Sequence, residues 1–172
     1  EEQRESVSDW RQIGLGIFGL ADMLIKLGIE YGSADSIVLC DKIGFIMADV
    51  AIGTSAYLAR DFGPYNKFKP ETLYKNLYFI ENTREETKRA VKRFGLRNSQ
   101  LFTIAPTGSI STMLGVSGGI EPIFDTSYTR KTESLHGKDQ YYEVYTPIVK
   151  AYLDSYAVIY NLTTGKPVLP SY

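Results

Sequence analysis

Three hydroxyl residues and a glycine crowd into Pro106-Thr107-Gly108-Ser109-Ile110-Ser111, between the apolar run Ser99 to Ala105 and a helix-like stretch reaching Leu114. A turn that opens a helix leaves the first backbone amides without partners, and the helix dipole favours negative charge there, so this pattern suits a phosphate. Thr107, Ser109 and Ser111 add side-chain donors, Gly108 permits close approach of the backbone, and Ile110 supplies an amide. The same residue types also serve plain helix capping by Thr107 or Ser109. The local pattern leaves both readings open.

A second glycine cluster, Gly14-Leu15-Gly16-Ile17-Phe18-Gly19, has the spelling of a dinucleotide-binding turn. Its context is wrong for one: Asp9 to Gln12 do not form a parallel-sheet strand, Glu30 lies too close to bind a ribose, and Asp41 falls inside a helix pattern. A close-packing turn is the simpler reading. Cys40 sits beside the apolar stripe of a helix, as a small buried hydrophobe would. His136 has no cysteine or second histidine with which to hold a metal, and Glu121 before Pro122 reads as a turn anchor. No triad, metal cluster or acid and base carboxylate pair can be assembled, and the tyrosines read as core or edge residues.

The elements that must position these residues belong to a chain of 172 residues, 44% hydrophobic and 23% charged. That length fits one structural unit spanning 1–172, without repeats or a linker. With 19 basic and 20 acidic residues, the chain lacks the positive surplus of a general nucleic-acid binder. Charges interrupt every long apolar stretch, so no membrane span is expected, and the acidic start is unlike a signal peptide. A single cysteine suits a reducing compartment, and the cytoplasm is the expected location. Residue 1 is not Met, so the gene product is expected to begin upstream.

Periodicity divides the chain into alternating elements. Ile13 to Phe18 reads as a short buried strand, and Leu20, Met23, Leu24 and Leu27 as a helix closed by Gly28. A long helix follows from Ser33 to Gly63-Pro64, with Leu39, Ile43, Ile46, Met47, Val50, Thr54, Tyr57 and Leu58 as its core face. Pro64 to Thr83 reads as loop with a short helix. Thr83-Arg84-Glu85-Glu86 has the form of a capping box, opening a helix that Gly95 closes. Ser99 to Ala105 reads as a buried strand, Thr107 to Leu114 as turn into helix, Ile120 to Thr129 as β-like, and Tyr145 to Tyr156 as a helix with Pro147 in its first turn. Strands alternating with helices imply an α/β fold with parallel pairing.

The run Arg97-Asn98-Ser99-Gln100-Leu101-Phe102-Thr103-Ile104-Ala105-Pro106-Thr107-Gly108-Ser109-Ile110-Ser111, followed by Gly115-Val116-Ser117-Gly118-Gly119-Ile120-Glu121-Pro122-Ile123-Phe124, closely resembles the large catalytic subunit of ribonucleotide reductase. Ile13 to Asp22 resembles that family's upstream block, and the helix from Ser33 and the tract Tyr128 to Val149 are similar to it in order and spacing. The turn together with Ser-Gly-Gly-Ile-Glu-Pro most resembles the adenosylcobalamin-dependent branch, class II. Branches with a separate radical-generating subunit share parts of the turn.

The resemblance implies part of a ten-stranded α/β barrel, with helices flanking mainly parallel strands. It implies conversion of ribonucleotides to deoxyribonucleotides by a thiyl radical, with Thr107, Gly108, Ser109, Ile110 and Ser111 at the substrate phosphates. The implied partners are a ribonucleoside di- or triphosphate, the remainder of the barrel, a thioredoxin-like thiol reductant and a second copy of the chain. Adenosylcobalamin is implied for the full-length enzyme and is not expected on this segment alone. The family's finger-loop asparagine, cysteine and glutamate are missing here, and Cys40 matches neither the radical cysteine nor the redox pair. The segment is therefore expected to be inactive by itself. Two alternatives are a non-catalytic split chain that acts by associating with the rest of the barrel, and a Rossmann-type protein using Gly14 to Gly19.

Overall fold

The computed structural model describes residues 2–132 and 140–163. Their elements are α1 (Glu2–Trp10), α2 (Leu20–Lys26), α3 (Ala34–Phe62), α4 (Pro70–Leu73), α5 (Leu77–Glu81), α6 (Glu85–Phe94), α7 (Gly108–Leu114), β1 (Ser127–Thr132), β2 (Gln140–Tyr145) and α8 (Pro147–Thr163). Although the sequence reads as one unit, its contacts gather into two: Glu1–Gly16 with Ile29–Ala105, and Ile17–Gly28 with Pro106–Tyr172.

The first unit is organised by α3. Ser33 starts it by accepting the Ser36 amide at 3.2 Å, and Gly63, at φ 78°, ends it. The core face differs from the expected one. The buried positions are Ser36, Ala48, Asp49, Ile52, Gly53, Ser55, Ala56 and Ala59, while none of Leu39, Ile43, Ile46, Met47, Val50, Thr54, Tyr57 and Leu58 is buried. Small residues let α6 approach α3 closely, and the buried cluster forms there from Ile52, Ala56, Phe79, Ala90, Val91 and Leu96. Size, which periodicity ignores, decided the face. Ile46, Met47, Val50 and Leu58 instead line an open aliphatic groove of about 420 Å³ with Ile13, Leu15, Leu101 and Phe102. Cys40 is half-buried on α3, less enclosed than expected.

The capping box at Thr83 is also corrected. Helix α6 begins one residue later, with Arg84 as N-cap making no side-chain cap, and the Thr83 hydroxyl is buried without a partner. Asp49 takes over the cap from α3: its Oδ1 accepts the Arg84 amide at 2.8 Å, and its Oδ2 lies 3.3 Å from the Arg84 guanidinium. A carboxylate at a helix N-terminus also meets the positive end of the dipole. Nearby, Ser55 donates to Asn98 Oδ1 at 3.0 Å and accepts the Asn98 amide at 3.1 Å, while Asn98 Nδ2 donates to the Arg11 carbonyl at 2.9 Å. This half-buried polar network ties Asn98 to α3.

The two expected buried strands are extended segments that meet in a single parallel bridge, Leu15 with Phe102. Three backbone bonds hold them: Ile13 to the Gln100 carbonyl and Leu15 to that of Leu101, both at 3.0 Å, and Thr103 to that of Leu15 at 3.1 Å. They are not buried: Leu15 is 58% and Ile104 47% exposed. A parallel strand is enclosed only when neighbours cover both faces, and the described residues provide one neighbour. Gly14 and Gly16 shorten the ladder further, because they serve close packing: an added Cβ on Gly14 would lie 2.7 Å from the Thr103 side chain, and one on Gly16 would strike the Thr103 carbonyl oxygen. The approach that a dinucleotide phosphate would need is thus taken by Thr103.

The second unit comprises α2, α7, the β1 and β2 hairpin and α8. The pair is antiparallel, in register from Ser127 with Tyr145 to Thr132 with Gln140, so the ladder among the described residues is not the parallel one expected. Its strands are adjacent in sequence, and a short connection permits only antiparallel pairing. Of Ile120 to Thr129, expected as β-like, Ser127 to Thr129 fall in β1, whereas Glu121 to Asp125 form no strand among the described residues and Phe124 is 83% exposed. Helix α8 begins at Pro147, where a missing amide costs nothing, and runs past the expected Tyr156. Helix α1 was not anticipated, because its polar sequence carries no apolar stripe. Glu133, His136 and the tail beyond Thr163 lie outside the described residues. No helix is long and apolar enough to cross a membrane among those searched.

Candidate anion-binding turn

Thr107 sets the geometry of the turn. Its backbone is left-handed, φ 53° and ψ 29°, a conformation that costs a non-glycine residue on the order of 1 kcal/mol. Two groups hold it there. The Gly119 amide donates to Thr107 Oγ1 at 2.8 Å, and the Thr107 carbonyl accepts both the Ser111 amide at 2.9 Å and the Ser111 hydroxyl at 2.7 Å. The Thr107 side chain therefore receives a bond from a neighbouring loop and makes no cap to α7. Simple capping by Thr107 does not describe this turn.

The consequence falls on the next three residues. The amides of Gly108, Ser109 and Ile110 make no backbone or side-chain bond among the described residues, and all three residues are exposed. They are the orphan donors of a helix start. The Ser109 hydroxyl is likewise without a described partner, whereas Ser111 is buried with its hydroxyl directed back into the turn. The expected residues are thus brought together in two roles: Gly108, Ser109 and Ile110 present donors to solvent, while Thr107 and Ser111 brace the backbone behind them. An added Cβ on Gly108 would meet nothing within 4 Å, so the space beside this residue is open.

The loop after α7 completes the arrangement. Gly115 ends the helix at φ 67°, and the Val116 amide returns to the Ser111 carbonyl at 3.0 Å. A Cβ on Gly118 would lie 2.8 Å from the Pro106 carbonyl oxygen, so the loop touches the entry of the turn backbone to backbone. Glu121 is exposed, and its amide donates to the Gly118 carbonyl at 3.0 Å. Asp22 on α2 accepts the Ser117 amide at 2.6 Å, and the Gly19 amide donates to the Ser117 carbonyl at 2.8 Å. Sequence reasoning missed Asp22, since it reads as a charge interrupting an apolar helix. A signal was present in the acidic residue at a helix first turn beside a glycine N-cap.

Among the described residues no group of three or more His, Cys, Asp or Glu side chains forms a metal site. Neither the aliphatic groove nor the hollow of about 480 Å³ around Trp10, Tyr65, Phe68 and Leu96 is lined by a histidine or a cysteine.

A family model described as ribonucleotide reductase, barrel domain, matches residues 1–163. The chain is 30% identical over 154 residues to the ribonucleoside-diphosphate reductase subunit alpha of Chlamydia pneumoniae, covering 77% of this chain and 15% of that protein. It is 38% identical over 129 residues to the vitamin B12-dependent ribonucleoside-diphosphate reductase of Thermoplasma acidophilum, covering 75% and 14%. A vitamin B12-dependent relative from Mycobacterium tuberculosis is 33% identical over 135 residues, covering 78% and 17%. The chain spans about 15% of the length of these relatives. With the family match running through every element from α1 to α8, the chain belongs to the ribonucleotide reductase barrel-domain family.

Proposed function

We propose that this chain is part of the catalytic barrel of a ribonucleotide reductase and supplies its substrate phosphate turn. The observation that carries the reading is the set of three exposed amides at Gly108, Ser109 and Ile110, without a partner among the described residues, in a member of this family. Those amides and the Ser109 hydroxyl receive the phosphate oxygens, and the positive end of α7 favours their charge. Thr107 and Ser111 keep the backbone in the conformation that points the donors outward. Both units belong, in this reading, to one barrel domain.

The relatives are named as diphosphate reductases, which favours a ribonucleoside diphosphate as substrate. The vitamin B12-dependent relatives favour the adenosylcobalamin branch for the complete enzyme. Reducing the ribose 2′ carbon takes two electrons from a thiol pair, and this sequence holds one cysteine, Cys40. The remainder of the barrel and a thioredoxin-like reductant complete the activity, in the cytoplasm. Purified chain with adenosylcobalamin and a dithiol is expected to yield no deoxynucleotide; its formation would refute that assignment.

The direct test is an amide-resolved NMR titration with ADP and CDP, with inorganic phosphate as control. Saturable shifts confined to Gly108 to Ser111 are expected. Gly108→Leu should abolish them while the melting temperature stays near wild type, because the added side chain enters open space. Parallel losses of affinity and stability would mean that Gly108 serves the fold and not the ligand.

A further inference from the structure

We infer that Asp22 is a positioning residue for the anion turn, acting through the loop Gly115 to Gly119. The inference rests on the phosphate reading of the turn for its purpose, and on geometry for its substance. Asp22 is 4% exposed, and its carboxylate accepts the Ser117 amide at 2.6 Å. The Ser117 carbonyl is taken by the Gly19 amide at 2.8 Å, so Asp22 and the N-cap of α2 together hold both the amide and the carbonyl of Ser117 in the loop. Two residues on, the Gly119 amide holds Thr107 Oγ1, and Gly118 lies against the Pro106 carbonyl. The path from Asp22 to the left-handed Thr107 is therefore three residues of loop backbone with a defined bond at each end.

A left-handed threonine reverts to an ordinary conformation unless its surroundings hold it. If Thr107 reverts, the backbone that presents the amides of Gly108, Ser109 and Ile110 to solvent changes its course. A carboxylate is suited to the task because a charged acceptor makes the strong form of a hydrogen bond to an amide. Asp22 touches neither the presented amides nor the open space before them, so its effect is transmitted by the loop.

The test compares Asp22→Ala and Asp22→Asn with wild type in the full 172-residue chain, by amide hydrogen exchange and by ADP titration. Asp22→Ala is expected to accelerate exchange at Ser117 and Gly119 by about tenfold or more, leaving the middle of α8 unchanged, and to weaken ADP by about tenfold. Asp22→Asn retains an acceptor oxygen and should restore both to within about threefold of wild type. Wild-type exchange at Ser117 and Gly119 in Asp22→Ala would overturn the inference, as would uniform acceleration across the second unit in both variants. If exchange responds as expected while wild type itself takes up no ADP, the phosphate reading falls and the Asp22 clamp stands.

Discussion

Gly108 and Gly118 stand ten positions apart in one motif, yet the structure gives them opposite burdens. Gly108 faces open space, whereas a Cβ on Gly118 would collide with the Pro106 carbonyl oxygen at 2.8 Å. Gly118→Ala is expected to destabilise the chain by about 1–3 kcal/mol, since backbone cannot yield as a side chain can. Gly108→Ala should leave stability within about 0.5 kcal/mol. Chemical denaturation of the two variants checks this; equal midpoints would mean that the loop does not contact the turn as described. Sequence alone presents both as motif glycines. Only the neighbour each one faces separates a glycine beside open space from one that packs against backbone.

At the scale of elements, α6 shows a local signal overruled by a tertiary partner. Thr83 has the spelling of a cap, but Asp49, 35 residues away, accepts the Arg84 amide. Asp49→Ala is expected to cost about 1–2 kcal/mol, because it strips a helix cap and leaves the part-buried Arg84 amide without its acceptor. Thr83→Val, which removes an unpartnered buried hydroxyl, should be neutral or stabilising. A larger loss from Thr83→Val than from Asp49→Ala in thermal unfolding would restore the capping box. One turn on, the Lys88 ammonium, hydrogen-bonded at 2.8 Å, holds the Glu85 carboxyl below its ordinary value, helped by its charge and by that of Arg89. A carboxyl with a depressed folded-state pKa contributes stability above its unfolded value and loses it as pH falls through the folded one. The stability difference between wild type and Glu85→Gln should therefore be small at neutral pH, as suits an exposed pair, and vanish in acid. Urea midpoints at neutral and acidic pH read this directly, and a difference that grows in acid contradicts the ion pair.

At the scale of the whole chain, many large apolar side chains among the described residues are exposed. Val7, Ile37, Phe62 and Leu77 in the first unit, and Met113 and Phe124 in the second, are exposed large hydrophobics, and among the described residues the segments 13–16 and 100–104 make their bridge only with each other. Apolar surface and open strand edges drive association. The isolated chain is expected to self-associate with rising concentration, and sedimentation velocity would show this as a concentration-dependent shift. A monomer at every accessible concentration would mean that these surfaces are covered within the chain.

Much of the organisation was legible from sequence, because it rests on local rules. The caps at Ser33 and Gly63, the stop at Gly28, Pro147 at a helix start and the helix after Thr107 all follow from which residues tolerate which backbone angles. The family resemblance was legible too, because the turn and its following loop form one long specific motif, and the family match agrees. The core face of α3, the Asp49 cap, the exposed state of the two expected strands and the link from Asp22 to Thr107 were decided only by tertiary structure. Each depends on what lies opposite a residue, and distances through space between positions tens of residues apart are not encoded in any local period.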